Sequence, residues 1–210
     1  MESVTILCIE NSSASGSVAL VRDGATLVER TFESPRGRGT NLFAVLAEVV
    51  RPDVPFDLVL IGAGPGSYNA LRSSIAAGCG IARARGIPAR SVCSLLGYPD
   101  SDYAVVGDAR AGQWFFTRVR GGSLVGDPQL IPAGECLDVE NVAVYSPSGI
   151  DEIPNAIVQA PSAALLARYA GNSGPAAPIY LKPPHITAAK VRPTLAQETG
   201  PAGRHAAGGA

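Results

Sequence analysis

The stretch from 58 to 86 constrains the fold more than any other. Leu58-Val59-Leu60-Ile61 is continuously apolar, the pattern of a strand buried on both faces of a parallel sheet. It runs into Gly62-Ala63-Gly64-Pro65-Gly66-Ser67, then into a helical stretch expected over 68–85. Gly86 stands where a left-handed C-terminal cap belongs. A further short strand is expected over 87–92. Strand, glycine turn, helix and strand in that order specify an α/β sheet.

The preceding residues add an antiparallel start to it. A buried strand is expected over 4–9, a polar turn over 10–16, and strands over 17–21 and 26–32, with Asp23-Gly24 marking a tight hairpin. After a Pro/Gly loop over 34–39, Thr40 is a candidate helix cap. Leu42, Val45, Leu46, Val49 and Val50 recur at helical spacing, and Pro52 and Pro55 close that helix. Later segments are less sharply patterned. Strands are expected over 103–106 and 113–119, around a turn at Asp108-Ala109-Arg110-Ala111-Gly112. Short strands over 142–145 and 156–158 and a helix over 162–170 follow, with Pro161 near its first turn and Gly171 beyond its end. From His185 the chain is rich in Ala, Gly and Pro, and partial disorder is expected there. With 24 glycines and 17 prolines in 210 residues, many turns and irregular connections are expected.

Charge and cysteine usage exclude several classes. A net charge of −1 supplies no basic field for unaided nucleic-acid binding. No apolar run approaches a membrane span, and Met1-Glu2-Ser3 does not open like a signal peptide; the expected location is the cytoplasm. Cys8, Cys79, Cys93 and Cys136 form no CxxC pair, so no zinc signature is present. Cys8 and Cys79 sit in apolar segments and read as buried thiols of a reducing compartment.

Few groups in the body suit catalysis. The glycine turn can hold an anion on free backbone N–H groups at a helix start, through Gly64, Gly66 and Ser67. It lacks the lysine of a P-loop, and its Gly-x-Gly-x-Gly spacing departs from the dinucleotide fingerprint. Its glycines therefore read first as serving positive φ and close packing. Arg72 lies within reach of that turn or of a partner's carboxylate. Glu10 and Asp108 each stand near a strand end, where a carboxylate pair can serve as acid and base or hold a metal, although acids there usually meet water or cap turns. The only histidines are His185 and His205. No metal-binding His pair and no Gly-x-Ser-x-Gly elbow occurs, so no catalytic residue and no metal ligand is assigned.

The ordered motifs resemble the TsaB (YeaZ) family of tRNA threonylcarbamoyladenosine biosynthesis proteins, which are glycoprotease-like. Ile6-Leu7-Cys8-Ile9-Glu10-Asn11-Ser12-Ser13 is similar to the family's opening strand and Asp-Thr-Ser turn, and Ser17-Val18-Ala19-Leu20 to the strand after it. Gly64-Pro65-Gly66-Ser67-Tyr68-Asn69-Ala70-Leu71-Arg72 is the most specific match, to Gly-Pro-Gly-Ser-Phe-Thr-Gly-Leu-Arg. Gly86-Ile87-Pro88 leading to Val92-Cys93-Ser94-Leu95, the Asp108-Ala109-Arg110 hairpin, and Ile179-Tyr180-Leu181-Lys182-Pro183-Pro184 complete it. The likeness is good over 4–120, patchy to 184 and absent beyond. Glu10 replaces the family's Asp, Gly39-Thr40-Asn41 its His-Ser-Glu, and Asn69-Ala70 its Thr-Gly.

This resemblance implies an α/β actin-like ATPase (ribonuclease H-like) fold of two related lobes with mixed sheets. The expected division is an N-terminal lobe over 1–98, a shortened C-terminal lobe over 99–184 and a flexible tail over 185–210. The implied role is a non-catalytic scaffold that binds a larger TsaD-like actin-fold paralogue and its ATPase companion, for threonylcarbamoyl modification of the tRNA adenosine next to the anticodon. Contact with tRNA is then indirect, no cofactor is required, and a homodimer forms in isolation. The shared surface lies on the first two helices, with Leu42, Phe43, Leu71, Arg72, Ile75 and Cys79 as candidates. The competing reading is a diverged kinase or ATPase holding ATP or ADP with magnesium through Glu10 and Asp108. A metallopeptidase is a third.

Overall fold

A computed structural model describes residues 3–34, 41–137, 139 and 141–182. Thr40, Pro183, Pro184 and the tail with His185 and His205 lie outside the described residues.

The first sheet grows from the apolar segments. β1 (Thr5–Glu10), β2 (Ser15–Arg22) and β3 (Ala25–Glu33) form an antiparallel meander. Asp23 and Gly24 turn between β2 and β3 with positive φ, as the Asp-Gly signal requires. β4 (Leu58–Gly62) and β5 (Ala89–Val92) add in parallel on the other side of β1. α1 (Leu42–Val49) and α2 (Tyr68–Arg85) are the connections around β4. Asn41 holds the N-cap position of α1 and makes no side-chain cap bond. Gly86 ends α2 at φ 68°.

The second sheet repeats this order, without its helices among the described residues. β6 (Tyr103–Arg110) and β7 (Gln113–Arg120) form a hairpin, and β8 (Ser123–Leu124) and β9 (Gln129–Pro132) both pair with β7. β10 (Ala143–Ser146) runs parallel to β6, and β11 (Ile157–Val158) parallel to β10. The strand sequence β9-β7-β6-β10-β11 therefore matches β3-β2-β1-β4-β5 in order and direction. This internal duplication of a mixed sheet is the actin-like ATPase fold. The crossover that α2 makes in the first lobe is reduced, over 147–156, to turns and irregular backbone.

The chain then returns to the first lobe. α3 (Ala163–Leu166) and a 3₁₀ turn over 167–172 pack back on the first sheet, and β12 (Gly174–Pro175) pairs antiparallel with β5. The helix expected over 162–170 is thus one α turn that tightens into 3₁₀. α3 is anchored from both sides: Glu29 accepts from the Ser162 hydroxyl at 2.9 Å and the Ala164 N–H at 3.3 Å, and the Ala163 N–H donates to the Ser17 hydroxyl at 2.8 Å.

Alternation along the strands makes two cores. Leu7, Ile9, Val18, Leu20, Val59 and Ile61 face α1 and α2. Cys8, Ala19, Val21 and Leu60 face the opposite way, into a core shared with Tyr103, Val105, Phe115 and Tyr145 of the second sheet and Leu166 of α3.

Candidate functional site

Alternation sends Glu10 to the same side as Cys8, toward the inter-sheet core. It ends β1 beside Gly62 of β4 and the turn after β5, at the carboxyl ends of the parallel strands, where open α/β sheets hold ligands. Glu10 is nevertheless 0% exposed. Its Oε1 accepts from the Ser12 N–H at 2.6 Å, and its Oε2 has no hydrogen-bond partner. A Cβ at Gly62 would overlap Oε2 and stand 2.7 Å from the Ser94 hydroxyl oxygen. That hydroxyl accepts from the Gly64 N–H at 2.8 Å. Burial raises the Glu10 pKa, and the hydrogen bonding from Ser12 only partly opposes it. Glu10 is thus a buried carboxyl packed beside Gly62 and Ser94, bonded only within its own turn.

The glycine turn is stitched into place in the same way. Gly64 has φ +93°, and Gly66 lies so close to the Ser12 carbonyl that no Cβ fits. The Ser67 N–H donates to the Ser12 carbonyl at 3.0 Å, the Ser94 N–H to that of Gly64 at 2.9 Å, and the Ile179 N–H to that of Ala63 at 2.8 Å. Asn11 Nδ2 donates to the Ala70 carbonyl at 3.2 Å. The packing role thus accounts for Gly62, Gly64 and Gly66, and the Ser67 N–H expected to face an anion is already bonded within the chain.

An interlobe cleft of about 1280 Å³ lies beyond the turn. Ser12, Ser13, Gly66, Ser67 and Tyr68 line it from the first lobe, and Asp108, Arg110 and Gln113 from the second. Residues 179–182 make a third wall. The structure therefore brings Gly66, Ser67 and Asp108 together, while Glu10 and Gly64 are not among the lining residues. The expected pairing of Glu10 with Asp108 as two carboxylates of one open site is corrected: Glu10 is sealed beneath the loops. Asp108 is exposed, and its Oδ1 accepts from the Arg110 N–H at 2.7 Å. Tyr180 stacks on Tyr68 at 4.8 Å between centroids, and the Arg72 guanidinium lies 5.2 Å from the Tyr68 ring.

The candidate residues on the first two helices divide by burial. Leu42 and Leu71 are 0% exposed; they are core, which corrects their assignment to an open surface. Ile75 and Cys79 are half-buried and Arg72 is exposed. Phe43 is 59% exposed. It borders a shallow apolar groove of about 410 Å³ between α1 and α2, floored by Ala47, Ala76, Ala77 and Gly80. A Cβ at Gly80 would meet nothing within 4 Å. Sequence reasoning missed these small residues; their signal was the run of Ala and Gly on the solvent side of α2.

Among the described residues no group of three His, Cys, Asp or Glu side chains is placed to hold a metal ion. Cys8 is buried with its pKa raised, and burial pushes the Cys93 thiol up to about 12. Cys79 is half-buried and Cys136 exposed. No described helix is long and apolar enough to cross a membrane.

No known family profile matches the chain. It is 29% identical over 198 residues to an uncharacterised protein of Mycobacterium tuberculosis, across 86% of this chain and 92% of that one. A Mycobacterium leprae protein, also uncharacterised, is 30% identical over 150 residues, which span 64% of this chain and 42% of that protein. Among solved structures, YeaZ from Pseudomonas aeruginosa superposes with a TM-score of 0.64 at 22% identity. A structure described as an uncharacterised protein with similarity to peptidase YEAZ from Pseudomonas aeruginosa does so at 0.67 and 20% identity. Each match covers 85% of this chain and all of the other. At these identities the likeness is one of fold.

Proposed function

We propose that this chain is a TsaB-like accessory subunit, which docks through α1 and α2 onto a larger TsaD-like actin-fold protein and supports threonylcarbamoyl modification of tRNA. The observation that carries the reading is the groove between those helices. An exposed aromatic knob, Phe43, stands beside a floor of Ala47, Ala76, Ala77 and Gly80. Small residues let another helix approach closely, and a large apolar side chain at the rim is the kind of anchor that dominates association energy. A homodimer through this same face is expected when the larger partner is missing. The YeaZ-like fold supports the same reading. The chain's own role is then to present a surface, with no cofactor of its own and with tRNA held by its partner, in the cytoplasm.

The kinase or ATPase reading draws on the interlobe cleft. It requires carboxylates that reach a bound magnesium, and of the two proposed only Asp108 lines that space.

The test is co-purification and sedimentation of the full chain with the TsaD-like paralogue of its own organism. Gly80→Arg fills the groove from a position with free space around it. It is expected to weaken association at least tenfold while leaving thermal stability near wild type. Failure of the wild-type chain to bind that paralogue, together with unchanged tRNA modification in a strain lacking the gene, would overturn the proposal. Tight ATP–magnesium binding or turnover by the isolated chain would favour the enzyme reading instead.

A further inference from the structure

We propose that residues 174–182 form a strap that holds the interlobe cleft at its present width, with the Lys182 ammonium as its catch on the second lobe. The strap starts on the first lobe, where β12 pairs with β5. The Ser91 hydroxyl donates to the Pro175 carbonyl at 2.8 Å and accepts from the Ala177 N–H at 3.3 Å. The Ile179 N–H then bonds the Ala63 carbonyl at 2.8 Å, within the glycine turn. Ile179 and Leu181 pack against the inter-sheet core, and Tyr180 lies on Tyr68 at the start of α2. The far end crosses the cleft. Lys182 Nζ donates to the carbonyls of Ala109 at 2.8 Å and Arg110 at 3.0 Å, at the tip of the β6–β7 hairpin.

Each part of this segment suits a tether. Pro175 and Pro178 have no N–H to satisfy and a fixed φ, so the strap loses little freedom on lying extended. At the hairpin tip the register of β6 slips between Asp108 and Arg110, and Arg110 takes φ 67°. Two neighbouring carbonyls thereby converge on one point. A compact ammonium with three rotatable donors suits such a point better than the planar fork of a guanidinium. The chain otherwise favours arginine: of its 17 basic residues only Lys182 and Lys190 are lysines. Because residues 179–182 are themselves a wall of the cleft, releasing the catch opens that wall and uncovers the glycine turn behind it.

The test is amide hydrogen exchange on the full chain. Lys182→Met keeps the aliphatic stem and removes the donors. Exchange across 177–182 is expected to rise about tenfold, with a matching rise across 107–113 because both ends of the bridge are freed. β1 and β4 should keep wild-type protection. Tyr180→Ala is expected to raise exchange in the strap in the same way, and Lys190→Met to leave it unchanged. Strap exchange equal to wild type in Lys182→Met, a rise in the strap without one at the hairpin tip, or an even rise through β1 and β4 would each overturn the proposal.

Discussion

Glu10 shows how one side chain can be legible in type and illegible in role. An acid at the end of the first strand invites a ligand-binding reading, and its position at the carboxyl ends of the parallel strands agrees with that. What the residue does depends on Gly62, which is distant in sequence and has no Cβ to exclude the carboxyl. A buried carboxylate with one oxygen unpaired is costly, so the neutral form is favoured and the pKa rises from its ordinary 4.5. Because the folded pKa lies above the unfolded one, the stability linked to this group is fully present below the unfolded pKa. It is lost as pH rises through the folded pKa. Glu10→Gln, isosteric and uncharged, is expected to remove that loss. Urea denaturation at pH 5 and pH 8 checks it: the variant's advantage should grow with pH, by at most about 1.4 kcal/mol per pH unit. An advantage that shrinks toward pH 8 would contradict the assignment.

Among the elements, the sheet strands and α2 were readable because their patterns are local. The apolar run over 58–61, the period-3.6 stretch over 68–85 and the Asp-Gly turn each carry their own signal. β8, β9 and β12, of 2, 4 and 2 residues, were not anticipated. Their strand character comes from a neighbour's free edge. α3 is similar, with 4 residues and little helical preference to sustain it alone. Its N-terminus is held by Glu29 from β3, a charge-assisted cap that favours a helix start. Glu29→Ala is therefore expected to cost about 1–2 kcal/mol, measured as a lower urea midpoint with an unchanged m-value. A midpoint equal to wild type would mean that packing alone holds α3.

For the whole molecule, the two lobes share one of the two cores. Cys8 and Leu60 of the first sheet, Tyr103 and Tyr145 of the second, and Leu166 of α3 belong to the same buried cluster. Lobes joined this way should unfold as one unit. Leu166 is 0% exposed, so Leu166→Ala is expected to cost about 2–5 kcal/mol and to lower a single calorimetric transition for the whole chain. A variant scan with one transition lowered and a second left at the wild-type temperature would show that the lobes unfold separately.

Much of the fold could be read from residue order, because alternation, turn chemistry and helical spacing are properties of neighbours along the chain. The antiparallel start, the parallel strands around α2 and the glycine turn all follow from them. The candidate site could not be read that way. Leu42 and Phe43 are adjacent and equally apolar, yet one is core and the other rims the groove, because the direction in which α1 packs is set by the sheet beneath it. Gly62, Ser94 and Glu10 meet only across three strands, and Lys182 reaches Ala109 and Arg110 only once the chain has passed through the second lobe and returned. Contacts between residues far apart in sequence leave no periodic trace; they exist only when packing has fixed how the sheets face each other.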